Sequence, residues 1–314
     1  SVLDSMFAPS SSATCYVRPL SRGPFELYQM RKTPRLLLTM GLSLAMRGRV
    51  MAQAAGPDTV VVHSGNLELR ALLYRPQGPG PFPAILFNHG SGHAAGRDST
   101  GRVDQRHPEL LGPLFAKHGY LFLYLFRRGD GLSRGQGAAS ADRMDSVAAA
   151  GGQVARNDLQ LRLLEGDELN DALAGLAFLR GRRDVQASRL AVVGVSFGGS
   201  LTVLLSERDS TLRAAVAFAT SGYSWERSPP LRARLLEAAD RTRVPIFFIH
   251  AANDYTVASA QALGSEMTRL GKPNRVKIYP AVGNTPEEGH DFIDLGVRTW
   301  EADVFGFLDG HVRQ

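Results

Sequence analysis

The segment Arg189-Leu-Ala-Val-Val-Gly-Val-Ser196-Phe-Gly-Gly199 constrains this chain more than any other. An apolar run ends in Gly-x-Ser-x-Gly and leads at once into Ser200 and Leu201-Thr-Val-Leu-Leu205. Apolar residues before and helix-forming residues after place the serine on a sharp strand-to-helix turn, its hydroxyl exposed at the end of a sheet. A side chain at Gly194 or Gly198 would strike neighbouring backbone at so tight a turn. The first N–H groups of the following helix point at the serine and suit a developing oxyanion. The five-residue pattern alone is weak, because a Gly-rich turn that binds nothing, or one that cradles a phosphate, reads the same way.

The downstream sequence strengthens the reading. Val244-Pro-Ile-Phe-Phe-Ile-His250 is a second apolar strand, and Asp254 follows it. Arg275-Val-Lys-Ile-Tyr279 is a further strand, followed by a loop carrying Pro286-Glu-Glu-Gly-His290-Asp-Phe292. Ser196, Asp254 and His290 therefore each stand in a loop after a strand, in the order serine, acid, histidine. His250 precedes the acid and His311 lies in the last helix. A serine hydroxyl needs an imidazole to take its proton, and the imidazole needs an anion to fix its tautomer. Alone, Asp254 reads equally well as a helix cap and His290 as a surface histidine.

Pro83-Ala-Ile-Leu-Phe-Asn-His89-Gly90-Ser91-Gly92 is an earlier strand opening into a Gly-rich turn. One oxyanion donor is expected from the Phe197 N–H and the other from this turn, at Gly90 or Ser91, with Ser91 favoured. His89 and His93 stand four apart, a metal-ligand spacing on a helix. A Gly-rich loop without a clear third ligand makes His89 a brace instead, and no metal or organic cofactor is expected. Asp130 precedes the nucleophile in the chain and reads as an Asp-Gly turn residue.

Phe87-Asn-His-Gly-Ser-Gly92, Arg128-Gly-Asp-Gly-Leu-Ser133, Gly194-Val-Ser-Phe-Gly-Gly199 and Glu287-Glu-Gly-His-Asp-Phe292 together resemble the dienelactone-hydrolase-like branch of the α/β-hydrolase superfamily. The resemblance spans roughly residues 57–312. It implies an α/β-hydrolase fold: a doubly wound, mostly parallel sheet with helices on both faces. Dienelactone hydrolases proper use a cysteine nucleophile, whereas the only cysteine here is Cys15. A serine esterase with a small-molecule ester substrate is the expectation. Prolyl-oligopeptidase-like peptidases share a similar elbow, and a non-catalytic binding protein on this fold is a third reading.

The net charge of +6 does not imply nucleic-acid binding. Arg18, Arg22, Arg31, Lys32, Arg35, Arg47 and Arg49 outweigh Asp4 and Glu26 in residues 1–55, leaving residues 56–314 nearly neutral. The extension contains a basic run, Met30-Arg-Lys-Thr-Pro-Arg35, an apolar run, Leu36–Met46, and Ala52-Gln-Ala54. Residues 30–54 read as a signal peptide, with translation beginning at Met30 and a secreted or periplasmic product. Arg47 and Arg49 fit that reading poorly. A disordered or mitochondrial-type presequence is the alternative, since acidic residues are scarce there too, with a cytoplasmic protein if the leader is not functional. The apolar run is too short for a stable membrane span.

Residues 56–314 read as the catalytic domain. Thr59–His63 and Leu67–Tyr74 form an antiparallel pair, Glu109–His118 a helix, and Tyr120–Phe126 an apolar strand suited to a sheet covered on both faces. Residues 138–168 are predicted to form a small helical insertion near the pocket mouth, followed by the crossover helix Leu169–Leu179. Glu165, Asp167 and Glu168 read as a helix start. Tyr223 and Trp225, in the loop after strand Leu212–Ala219, are the candidate substrate-binding residues.

Overall fold

Eight strands form one sheet: β1 (Asp58–Ser64), β2 (Leu67–Tyr74), β3 (Phe82–Asn88), β4 (Leu121–Leu125), β5 (Val185–Val195), β6 (Ala214–Phe218), β7 (Ile246–Ala251) and β8 (Asn274–Tyr279). The computed structural model describes residues 56–91 and 106–314. Their spatial order is β1-β2-β4-β3-β5-β6-β7-β8. β1 and β2 pair antiparallel, as do β2 and β4, and every later pair is parallel.

Alternation along β4 shows why the sheet carries two cores. Leu121, Leu123 and Leu125 pack into one apolar cluster, while Tyr120, Phe122, Tyr124 and Phe126 pack into the other. Successive side chains point to opposite faces, so a strand covered on both sides is apolar throughout. The first cluster is closed by α2 (Ser140–Glu165), α3 (Asp167–Arg180), α4 (Phe197–Arg208), α5 (Pro229–Arg241) and α6 (Ala258–Arg269). The second is closed by α1 (Arg106–Lys117), α8 (Phe292–Leu295) and α9 (Val297–Val312). This is the doubly wound arrangement expected from the sequence. The carboxyl ends of β3 to β8 therefore share one end of the sheet, where ligands bind in such folds.

Several boundaries differ from the sequence reading. The elbow strand begins at Val185 and α1 at Arg106, each a few residues earlier than apolar periodicity suggests. Residues 140–165 form α2, with a break at Gly152, whose φ of 76° leaves the helical region. The segment expected to be a loop before His290 is a one-turn helix, α7 (Pro286–His290). Its Thr285–Glu288 capping box satisfies two otherwise unpaired N–H groups. The signal-peptide reading and the extension as a whole lie outside the described residues, as do Gly92 and His93. No described helix is long and apolar enough to cross a membrane.

Candidate active site

Ser196 lies between β5 and α4 at φ 58° and ψ −117°. Such a conformation costs a non-glycine residue roughly 1–3 kcal/mol. The surrounding backbone enforces it: Ser196 N donates to Phe218 O at 2.9 Å, and Ser200 N donates to Ser196 O at 3.1 Å. The glycine requirement read from the sequence is met in space. A Cβ at Gly198 would stand 1.9 Å from Asn88 O, and one at Gly194 would stand 2.3 Å from Gly198 O.

The structure brings together Ser196 from the β5–α4 elbow, Asp254 from the turn after β7 and His290 from the end of α7. His290 Nε2 is 2.8 Å from Ser196 Oγ, and His290 Nδ1 is 2.8 Å from Asp254 Oδ1. Because a carboxylate only accepts, Nδ1 carries the proton and Nε2 is left to accept from the serine. Asp254 Oδ1 also accepts from Tyr255 N at 2.7 Å. On the other oxygen, His250 Nδ1 lies 2.8 Å from Oδ2, with both side chains fully buried. Ser259 Oγ is 3.1 Å from His250 Nε2. Burial alone would raise the Asp254 pKa. The close approach of His250 and the hydrogen bond from His290 outweigh burial and hold it at about 2.

The loop after β3 closes against the elbow. Gly90 approaches so nearly that a Cβ there would lie 3.8 Å from Ser196 Cβ. Among the described residues, the N–H groups of Gly90 and Ser91 have no hydrogen-bond partner. Phe197 opens α4, so its N–H has no intrahelical acceptor. His89 turns away from the serine. Its Nδ1 lies 2.8 Å from Gly90 O, and its Nε2 accepts from Arg127 N at 3.3 Å and lies 3.1 Å from Asp130 Oδ2. Burial, assisted by the Arg127 charge, keeps the His89 pKa well below the usual histidine range. His89 is thus a neutral brace. Among the described residues no cluster of His, Cys, Asp and Glu could hold a metal ion, and His93 lies outside them.

A cavity of about 280 Å³ opens at Ser196. Gly90, Ser91 and Phe197 line it beside the serine, and Met144, Arg156 and Gln160 reach it from α2. Tyr223 lines it too, with its ring edge-on to Tyr255 at 5.4 Å and the Arg227 guanidinium 4.0 Å from its centroid. Trp225 does not line it, which corrects the sequence expectation. Its side chain is 2% exposed and belongs to the core cluster. Ser224 N and Trp225 N both donate to Ser221 O, so the segment coils into a helical turn. Two residues apart on such a turn are about 200° apart, and only Tyr223 can face the cavity.

Sequence reasoning missed His250, Arg127 and Glu168. His250 read as the last residue of a strand, although a histidine four residues before a candidate acid is a signal of contact. Arg127 and Glu168 form a buried ion pair. Nothing in their local sequence announces it, because they are 41 positions apart. Arg128 similarly joins Asp167 and Asp171 at 2.7 Å, so the acidic helix start anchors the loop after β4.

This geometry and topology define an α/β hydrolase. The dienelactone hydrolase family model matches residues 69–292, and the chain belongs to that family. Among curated proteins no sequence matches it. Solved structures share its fold. An acylaminoacyl peptidase from Pyrococcus horikoshii superposes with a TM-score of 0.57 at 17% identity, covering 82% of this chain and 42% of that one. A puromycin-hydrolysing peptidase from Mycobacterium tuberculosis gives 0.56 at 19%, covering 82% and 40%. An esterase from Pyrococcus furiosus gives 0.57 at 15%, covering 82% and 91%. The chain thus spans about two fifths of each peptidase and nearly all of the esterase.

Proposed function

We propose that this hydrolase cleaves small carboxylic esters through an acyl-enzyme, with Ser196 as nucleophile, His290 as general base and acid, and Asp254 as the orienting anion. The observation that carries this reading is the pair of 2.8 Å contacts joining the three side chains at the mouth of the Ser196 cavity. His290 Nε2 takes the Ser196 proton as Oγ bonds to the ester carbonyl carbon. The carbonyl oxygen becomes an oxyanion held by the Phe197 N–H and by an N–H of the 90–91 turn. Collapse breaks the carbon–oxygen bond to the alcohol, which leaves with the proton from His290. Water then gives a proton to His290 and attacks the acyl carbon, and Ser196 recovers its proton as the acid departs.

The cavity volume favours a short ester over a peptide. About 280 Å³ is at the small end for ligand sites, and an extended peptide needs a longer groove. On the basic and apolar runs of residues 30–54 we place the mature enzyme outside the cytoplasm. The test is a rate panel of short- and medium-chain p-nitrophenyl esters against an aminoacyl p-nitroanilide, with Ser196→Ala as control. Ester turnover that vanishes in the variant supports the reading. Cleavage of the anilide alone makes the enzyme a peptidase. Silence on both, with no fluorophosphonate labelling, makes it a binding protein.

A further inference from the structure

Arg127 follows β4 and is the largest buried charged side chain next to the elbow; it and Glu168 are each 2% exposed. A cation so placed needs an anion and further acceptors. Its Nε donates to Glu168. Its Nη2 donates to two consecutive peptide carbonyls, His89 O at 3.0 Å and Gly90 O at 2.9 Å.

Those two carbonyls fix the direction of two N–H groups. In a trans peptide the C=O of one residue and the N–H of the next point to opposite sides. Holding the 89 and 90 carbonyls on the Arg127 side turns the N–H groups of Gly90 and Ser91 to the other side. Both residues line the Ser196 cavity on that side. A hydrogen bond to a carbonyl also polarises its peptide and strengthens the attached N–H as a donor. The same guanidinium sits 5.6 Å from the ring centroid of Phe197, whose backbone supplies the other donor.

We propose that Arg127 is a positioning residue for the oxyanion hole: its guanidinium, held by Glu168, locks the peptide planes that present the Gly90 and Ser91 donors. This rests on the acyl-transfer reading above. Losing one oxyanion donor costs about 100- to 1,000-fold in kcat, so releasing the planes should cost about 30- to 100-fold. The loss should fall on kcat, because the oxyanion exists only in the transition state.

The test uses the full-length enzyme, Arg127→Lys and the double variant Arg127→Met/Glu168→Met. The double variant removes both charges at once and avoids stranding one of them. Steady-state kinetics on a p-nitrophenyl ester are compared with inhibition by a trifluoromethyl ketone, whose tetrahedral adduct places an oxyanion in the hole. The expected result for the double variant, with cooperative thermal unfolding retained, is kcat down about 30- to 100-fold and KM within about threefold. The ketone Ki should rise in proportion to the loss in kcat, and Arg127→Lys should fall between the two enzymes. A folded double variant with wild-type kcat and Ki, or with only KM raised, overturns the proposal. If the double variant does not fold, Arg127→Lys decides: unchanged kcat and Ki overturn the proposal, and a proportional change in both upholds it. A wild-type enzyme silent on esters and unlabelled by fluorophosphonate overturns the acyl-transfer reading, and this proposal with it.

Discussion

His250 Nδ1 lies 2.8 Å from Asp254 Oδ2, on the carboxylate oxygen that His290 does not use. The Asp254 carboxylate is therefore flanked on both oxygens by imidazoles. Ser259 Oγ lies 3.1 Å from His250 Nε2, on the side of the ring away from Asp254. Replacing His250 by Leu removes the imidazole from the buried outer oxygen and sets a hydrocarbon side chain against it. The expected outcome is a stability loss of about 1–3 kcal/mol and a kcat about tenfold lower. Urea unfolding and ester kinetics measure the two. An unchanged kcat would mean that His250 holds the fold and not the acid.

Asp254 also sets an acid-stability signature. Its folded-state pKa, about 2, is below the ordinary aspartate value of 3.8. The ionised form is thus favoured by folding, and its contribution is complete above the ordinary carboxylate range. It fades as pH falls below that range and is lost as pH passes through about 2. The difference corresponds to about 2 kcal/mol. Asp254→Asn cannot titrate, so the stability gap between wild type and variant should narrow by that amount between pH 6 and pH 2. Denaturant titrations at several pH values measure it, and a constant gap would show that Asp254 is not held ionised by its neighbours.

Gly222 backs the same pair. A Cβ there would lie 2.7 Å from Asp254 Oδ1 and 3.0 Å from His290 Nδ1. Gly222→Ala must push one of them, and a displacement approaching 1 Å at a reacting group costs about 100-fold in rate. Gly306→Ala is the control, because a Cβ there meets nothing within 4 Å on α9. The first variant should lose kcat while keeping its fold, and the second should match wild type. Equal rates in both would show that the pair tolerates a methyl group.

The elbow and the three residues after strands were legible because each rests on local pattern. Apolar runs mark β5 and β7, alternating charged and apolar residues mark β8, and small or polar residues mark the turns where those strands end. The two-sided core was legible in the all-apolar β4. Contacts that depend on distant chain meeting in space were not. Arg127 and Glu168 meet only because β4 and α3 pack side by side. His250 and Asp254 are only four residues apart, but their contact depends on the turn by which the chain doubles back after β7. The one-turn helix before His290 had a readable sign, Thr285-Pro-Glu-Glu288, but a single turn is too short to generate periodicity.

Trp225 and Tyr223 separate packing from recognition. The indole of Trp225 is in the core, while Tyr223 is 40% exposed at the cavity rim. Trp225→Ala leaves a void that its neighbours cannot fill and should cost about 3–5 kcal/mol. Where the variant remains folded, its KM should stay within about twofold of wild type, because no Trp225 atom lines the cavity. Tyr223→Ala removes ring contacts with Tyr255 and Arg227 at the rim, and its stability should change by less than about 1 kcal/mol. Its KM should rise several-fold, most for esters with bulky groups that reach the rim. Urea unfolding paired with KM across an ester series distinguishes the roles. A stable Trp225→Ala enzyme with a raised KM would reverse the assignment and put the indole back at the substrate.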